Sequence, residues 1–436
     1  MSIKHHPLPL ILAFMVISMP SLAGEWSGHM AAEYRAFIQP PLEPQKQNHD
    51  LSPATEHEPI RTPSLPGEWS GHMAAEYRVY TQPSLDPQQQ HNHNLSLATE
   101  LEYYHSWNGD KDSLLLTSFY RWDEHDNERS HFDIRELIWT HAAYDWELKL
   151  GIGKVFWGVA ESQHLVDIIN QSDSVENIDG EDKLGQPMAN LTLIKDWGVI
   201  DLFILPGFRE RTFAGIDGRS RAIPIINQHP KYESGAKDKH IDFALRWAQT
   251  IDDWDVGISH FYGTSREPRL VFNGRNFTPY YDLIHQTGLD VQATLDDWLW
   301  KFEVIHRSGQ GETFNAFTGG FEYTFVGVFE SSADFGFIAE YLYDDRKDSS
   351  LVIFDNDLFL GGRLALNDAQ SSEMLFGVIS DVKTSAQAYS IEASRRFGDS
   401  WVLSLEGRFI TNVADFEPLA TIHHDDVIQL ELTRHF

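Results

Sequence analysis

From Gly67 onward the chain reads as eighteen segments, roughly ten to fourteen residues each, in which apolar and polar side chains alternate; the connections between them are by turns short and long. Successive side chains of a strand point to opposite faces, so each segment makes a strand with one greasy and one wet face. The first five cover residues 68–81, 94–107, 113–124, 130–143 and 145–156, and the last covers 425–436. In that last segment Ile428, Leu430, Leu432 and Phe436 share one face, and Gln429, Glu431, Thr433 and His435 share the other. Likewise Trp298, Trp300, Phe302 and Val304 oppose Lys301, Glu303 and Arg307, and Trp146, Leu148, Leu150 and Ile152 oppose Glu147, Lys149 and Gly151. A lone edge strand of a soluble sheet can alternate in this way. Eighteen of them, joined by turn formers such as Tyr144-Asp145, Asp252-Asp253, Asp296-Asp297 and Gly398-Asp399-Ser400 at one end and by long loops at the other, predict an all-β fold. That fold is a transmembrane antiparallel up-and-down β-barrel, with short turns in the periplasm and both ends of the wall on that side. Trp and Tyr beside the turns (Trp107, Trp146, Trp197, Trp254, Trp298, Trp401) suit aromatic girdles at the headgroups.

The amino-terminal end agrees with export. Lys4 precedes an apolar run from Pro7 to Met19, and Ser21-Leu22-Ala23 precedes Gly24, which reads as a signal peptide over residues 1–23. The run is too short for a spanning helix, and no apolar stretch of eighteen residues follows it. The expected location is the outer membrane of a Gram-negative bacterium, reached after passage through the inner membrane. The net charge of −31, one unit more negative once Lys4 is lost, argues against nucleic-acid partners. There is no cysteine, hence no disulfide or thiol chemistry.

Residues 24–35 read GEWSGHMAAEYR, and residues 67–78 repeat them without a change. The repeat continues, but Leu97, Leu101 and Tyr103 of the second copy correspond to Pro53, His57 and Pro59 of the first. Proline cannot donate to a ladder and a polar residue facing lipid is costly. We therefore expect residues 24–66 to be a duplicated periplasmic extension and residues 67–436 to be the barrel, closed by the second copy against the final strand. Two further hairpin strands, twenty in all, are the competing reading.

An eighteen-stranded barrel encloses a lumen wide enough for water, so selectivity falls to whatever folds into it. Residues 157–187 are the candidate, because Leu165, Val166, Ile168 and Ile169 are out of place in a loop open to water and suit a short helix or inward fold on the wall. Their acids include Glu161, Asp167, Asp173, Glu181 and Asp182, whereas the connection 208–238 carries Arg209, Arg211, Arg219 and Arg221. Facing each other, with Trp157 at the base, the two loops would set a transverse field at a constriction. The structural alternative is a pair of solvated outer loops.

The run from Leu148 to Ser162, LKLGIGKVFWGVAES, preceded by Asp133-Ile134-Arg135-Glu136-Leu137, resembles a pattern shared by porin-like Gram-negative outer-membrane barrels, a largely uncharacterised family. The resemblance covers about thirty residues and rests on Arg135, Glu136, Lys154 and Gly158, with Lys154 where arginine is frequent. Arg434 departs from the family's usual carboxyl-terminal signal, where an aromatic residue is common.

The expected function is thus a pore for diffusion of small polar or charged solutes; the alternative is a closed barrel acting as adhesin, receptor or structural component. Expected partners are outer-membrane lipid, lipopolysaccharide, small solutes and, through the last strand, the barrel-assembly machinery. No nucleophile motif accompanies the histidines, so no enzyme activity and no cofactor are expected; His423 and His424, beside Asp425 and Asp426, are weak metal candidates. A plug domain would not fit in the 43 residues before the barrel.

Overall fold

The computed structural model describes residues 67–436 apart from 87–88, 90, 178, 347–351 and 415–417. The expected signal peptide and the first repeat copy lie outside the described residues. Eighteen strands form one closed antiparallel sheet. In chain order the first seven are β1 (Glu68–Tyr80), β2 (His93–Trp107), β3 (Asp112–Asp123), β4 (His131–Ala142), β5 (Trp146–Gly153), β6 (Gln186–Lys195) and β7 (Gly198–Pro206). A short β8 (Lys231–Tyr232) precedes β9 (Ile241–Ile251) and β10 (Trp254–Thr264), and the pair β11 (Arg269–Phe272) and β12 (Phe277–Tyr281) precedes β13 (Leu283–Leu295). The wall continues through β14 (Trp298–Ser308), β15 (Phe314–Phe325), β16 (Asp334–Asp344), β17 (Asn356–Ala365), β18 (Glu373–Asp381), β19 (Gln387–Phe397), β20 (Trp401–Thr411) and β21 (Val427–His435).

Each barrel strand pairs with its neighbours in the wall, and β1 pairs with both β2 and β21, which closes the cylinder. At the seam Phe436 exchanges both backbone hydrogen bonds with Gly71, at 3.0 and 3.1 Å. The strand that receives the carboxyl terminus therefore belongs to the second copy of the repeat.

Alternation sorts the side chains as the sequence predicts. Leu97, Leu101, Trp298, Trp300, Phe302, Leu430 and Leu432 are exposed, whereas Lys301, Glu303 and Arg307 are buried inside. Such an inverted surface is stable only against hydrocarbon. Arg434 shares the outward face, and its guanidinium lies 5.6 Å from the centre of the Trp401 ring, where a cation can sit on an aromatic face at the membrane boundary. Among the described residues no helix is long and apolar enough to cross a membrane; the strands cross it.

The short turns use left-handed backbone at Asn108, Asp252, Asp296 and Asn367, residue types that tolerate it. On the long-loop side one feature departs from the sequence reading. Residues 264–281, which the alternation leaves as one of the long connections, contain the hairpin β11–β12, which pairs with β8 in a separate three-stranded sheet. The turn Asn273-Gly274-Arg275-Asn276, with Gly274 at φ 94°, joins the hairpin.

Candidate functional site: the inward loop and the lumen it crosses

Residues 154–185, between β5 and β6, fold into the barrel. Their described residues contain no helix, so of the two expected forms it is the irregular inward fold that occurs. Val166, Ile168 and Ile169 pack in one buried cluster with the inward-facing Ile138, Met188, Phe203, Leu205, Phe261, Ile284, Ile305 and Phe314. Burying each such side chain contributes roughly 1.5–3 kcal/mol, which explains why an otherwise acidic loop carries an apolar stretch. Leu165 packs against the same cluster. Trp157 is buried there too, edge-on to Phe203, with the Arg246 guanidinium over its ring.

Two carboxylates on the opposite wall hold the loop's backbone. Glu303 of β14 accepts N–H bonds from Val159 at 2.7 Å, Ala160 at 3.0 Å and Val166 at 3.2 Å. Glu340 of β16 accepts them from Glu161 and Ser162, both at 2.8 Å. Gly158 makes this approach feasible: its φ is 149°, and a Cβ there would meet His164 Nδ1 at 2.9 Å and Glu303 Oε1 at 3.1 Å. Asn170 closes the loop's neck, donating to the carbonyls of Gly153 and Leu184 and accepting from the Val155 N–H. Lys154, at the neck, is exposed.

Farther along, the loop meets β1 and β3. Arg121 binds Glu176 with contacts of 2.8 and 3.0 Å and reaches Glu76 at 3.2 Å. Arg129 binds both Glu76 oxygens, Asp123 and the Val175 and Glu176 carbonyls, and Arg78 donates to the Glu176 carbonyl. Three guanidiniums thus face Glu76, Asp123 and Glu176 in a buried network of no net charge. A bulge in β4 delivers a further arginine: register shifts between Thr117 and Ser118, leaving Arg135 unpaired between Ile134 and Glu136. Bulges re-aim a side chain in this way. Arg135 lies 3.8 Å over the Phe119 ring, with Asp173 at 3.8 Å and Asp182 at 3.7 Å; Glu136 stands opposite Thr117.

Beyond Glu176 the loop reaches the far wall. Asn177 donates to Glu406, and Asp179 pairs with Arg408 at 3.0 Å, while Arg408 also holds Glu392 at 2.6 Å. Beside the Glu303 and Glu340 anchors, Glu161 pairs with Lys301 at 3.2 Å and Arg363 at 2.8 Å; burial raises its carboxyl, but these charges outweigh that and hold it below the usual range. Asp167 pairs with Lys183 at 3.0 Å, and burial nonetheless pushes its carboxyl up. Burial of His164 opposes its charging, but Glu181 at 3.0 Å and Glu303 at 3.9 Å overcome this and push it up to about 10.

The loop 208–238 is not the counter-pole that its charge suggests. Arg209 pairs with Asp133 at 2.6 Å, Arg211 donates to Gln171 and the Arg266 carbonyl, Arg219 pairs with Asp425 at 2.7 Å, and Arg221 pairs with Asp86. It touches the inward loop at Gln171, holds β4 through Asp133, and otherwise ties the long connections together. The cations that face the acidic loop are Arg78, Arg121, Arg135, Lys301, Arg363 and Arg408 on wall strands and Arg129 in the β3–β4 connection. Glu76, Glu303 and Glu340 each stand in the sequence as a single charge on an alternating strand; the alternation puts Glu303 on the wet face but marks none of the three as an anchor. The signal was their parity, opposite to the lipid face.

His423 and His424 do not converge on Asp425 and Asp426. The two Nδ1 atoms lie against the Ala420 and Pro83 carbonyls, while Arg219 takes Asp425 and Gln82 takes Asp426.

Comparison with known proteins places the fold. No family model matches the sequence, and no curated protein sequence matches it. The structure is similar to Wzi of Escherichia coli, described as an outer-membrane protein involved in group 1 capsule assembly and a carbohydrate-binding β-barrel, at a TM-score of 0.50 and 11% identity over 83% of each chain. OprB of Pseudomonas putida is similar at 0.46 and 9% identity, covering 85% of this chain and 94% of that one. A porin variant of Rhodopseudomonas blastica scores 0.42 at 11% identity, over 85% and 100% of the two chains. What the chain shares with Wzi is a fold, the closed outer-membrane β-barrel.

Proposed function

We propose that the protein is an outer-membrane pore passing small polar or charged solutes through an eyelet between the inward loop and the wall of β17–β20. The observation that carries this reading is a gradient of exposure among lumen charges. Glu303 and Glu176 are 0% and 4% exposed, whereas the side chains of Glu181, Glu392, Asp182 and Arg363 are 54%, 46%, 38% and 36% exposed. Charges that water reaches inside a barrel line a wet passage.

Carboxylates of the loop then meet Arg363 and Arg408 on the wall, and Glu392 of β19 lies beside Arg408, giving the transverse field expected of a charged constriction, with the wall rather than the loop 208–238 supplying its positive pole. Among the open lumen charges Glu181, Glu392, Asp182 and Arg363, three are carboxylates and one is a cation, so the passage favours cations over anions. The loop 208–238, with Arg209, Arg211, Arg219 and Arg221, covers the mouth. The test is reconstitution of the full chain into a planar bilayer. Stepwise ohmic conductance with a cation-selective reversal potential is expected. Silence from folded, inserted protein would overturn the pore and favour a closed barrel that binds or adheres.

A further inference from the structure

The geometry points to a site for a divalent transition-metal ion, such as Zn2+, formed by His93, Glu124 and His125 at the long-loop rim of the barrel. One nitrogen of each histidine and one oxygen of the glutamate lie within 4.8 Å of one another. The topology produces this. β2 begins at His93 and its antiparallel neighbour β3 ends at Asp123, with the Glu124 N–H bonded to the Leu95 carbonyl at 3.0 Å as the last rung. Two strand ends therefore carry a histidine and a Glu-His pair to one place.

Three details suit a metal better than a set of solvated polar residues. His125 Nε2 is buried without a hydrogen-bond partner, 3.7 Å from Glu124 Oε2, a distance too long for a hydrogen bond. The His91 ring stacks on His125 at 3.7 Å and 17°, fixing its plane. The Leu95 N–H donates to Glu124 Oε2 at 3.3 Å, the kind of outer contact that orients a ligating carboxylate. A bound ion would draw the three donors to roughly 3.4 Å apart, from metal–ligand distances of about 2.0–2.2 Å. His93 and Glu124 are exposed, so the needed movement is a change of rotamer.

The other convergence of such groups, His131 with Asp173 and Glu176, is unsuitable on charge: Arg121 occupies Glu176 and Arg135 lies 3.8 Å from Asp173. Glu124, by contrast, has only His125 as an ion-pair partner among the described residues. Two imidazoles and one carboxylate select Zn2+, Ni2+ or Cu2+ over Mg2+ and Ca2+, which prefer all-oxygen shells. The ion would staple β2 to the β3–β4 connection beside the recess that His91, His93 and His125 line with Arg78, Arg129 and Arg408.

The experiment is calorimetric titration of the full-length protein in detergent with Zn2+, in the presence of millimolar Mg2+. A saturable equivalent that is weakened at least about tenfold in H93N, E124Q and H125N, and unaffected in an H423N/H424N double variant, is expected. Folding is checked by heat-modifiable mobility, and E124Q, at an exposed position, keeps the test decisive if H125N does not fold. Unchanged binding in the folded variants, competition by Mg2+, or absence of saturable binding to the wild type would overturn the site.

Discussion

Single residues decide how the loop sits in the lumen. Gly158 accepts a backbone conformation that other residues resist and leaves room for Glu303. Gly158→Ala should destabilise the folded barrel by roughly 1–3 kcal/mol, measured as a lower temperature for loss of the heat-modifiable form. Arg129 faces Glu76, Asp123 and Glu176, all buried. Its replacement by alanine leaves carboxylates without their partner, a loss of about 3–5 kcal/mol for a broken buried pair, read in the same assay. His164 provides a pH dependence. Its folded value is raised to about 10 from 6.5, so its contribution to loop anchoring is complete below about 6.5 and is lost as pH rises through about 10. Current noise from a mobile loop should therefore increase near pH 10, and H164N should show it already at neutral pH; equal noise at pH 7 and pH 10.5 would contradict the assignment. None of these roles was legible in the chain. Gly158 stood in a family pattern, but its reason lies in Glu303, which is 144 positions away in the sequence from the Val159 it holds.

At the level of elements, the strands were legible because period two is imposed by the pleat and rewarded on both faces, lipid outside and polar groups inside. The inward course of the loop was legible for a related reason, since Val166, Ile168 and Ile169 need apolar surface and the barrel interior supplies it. Its partners were not. Charge totals suggested that the loop 208–238 would face it, yet opposite charges pair where backbone register delivers them, and the register delivers Arg121, Lys301, Arg363 and Arg408. The bulge at Arg135 was equally hidden, because one unpaired residue leaves no mark on an alternating pattern. Replacing both anchors, E303Q with E340Q, removes the charge from acceptors of five backbone N–H bonds and should release the loop. Single-channel records of this variant should show frequent gating transitions while the barrel stays folded. A record as quiet as the wild type would mean that the apolar cluster alone holds the loop.

The whole molecule is a cylinder whose closing strand could be drawn from either of two identical dodecapeptides; the described structure uses the one beginning at Gly67. If residues 24–66 are an appendage, their deletion should leave a folded, heat-modifiable barrel; failure of the truncated protein to assemble would give them a part in closure. The central claim is larger: the barrel holds a water-filled passage that the inward loop narrows without closing. Single-channel conductance of the full chain, compared with a variant in which residues 159–182 are replaced by a short glycine-serine link, tests it most directly. The account predicts discrete, cation-selective steps for the wild type and steps of markedly higher conductance and weaker selectivity for the variant. A silent wild type, or a variant whose steps match it in size and selectivity, would contradict it.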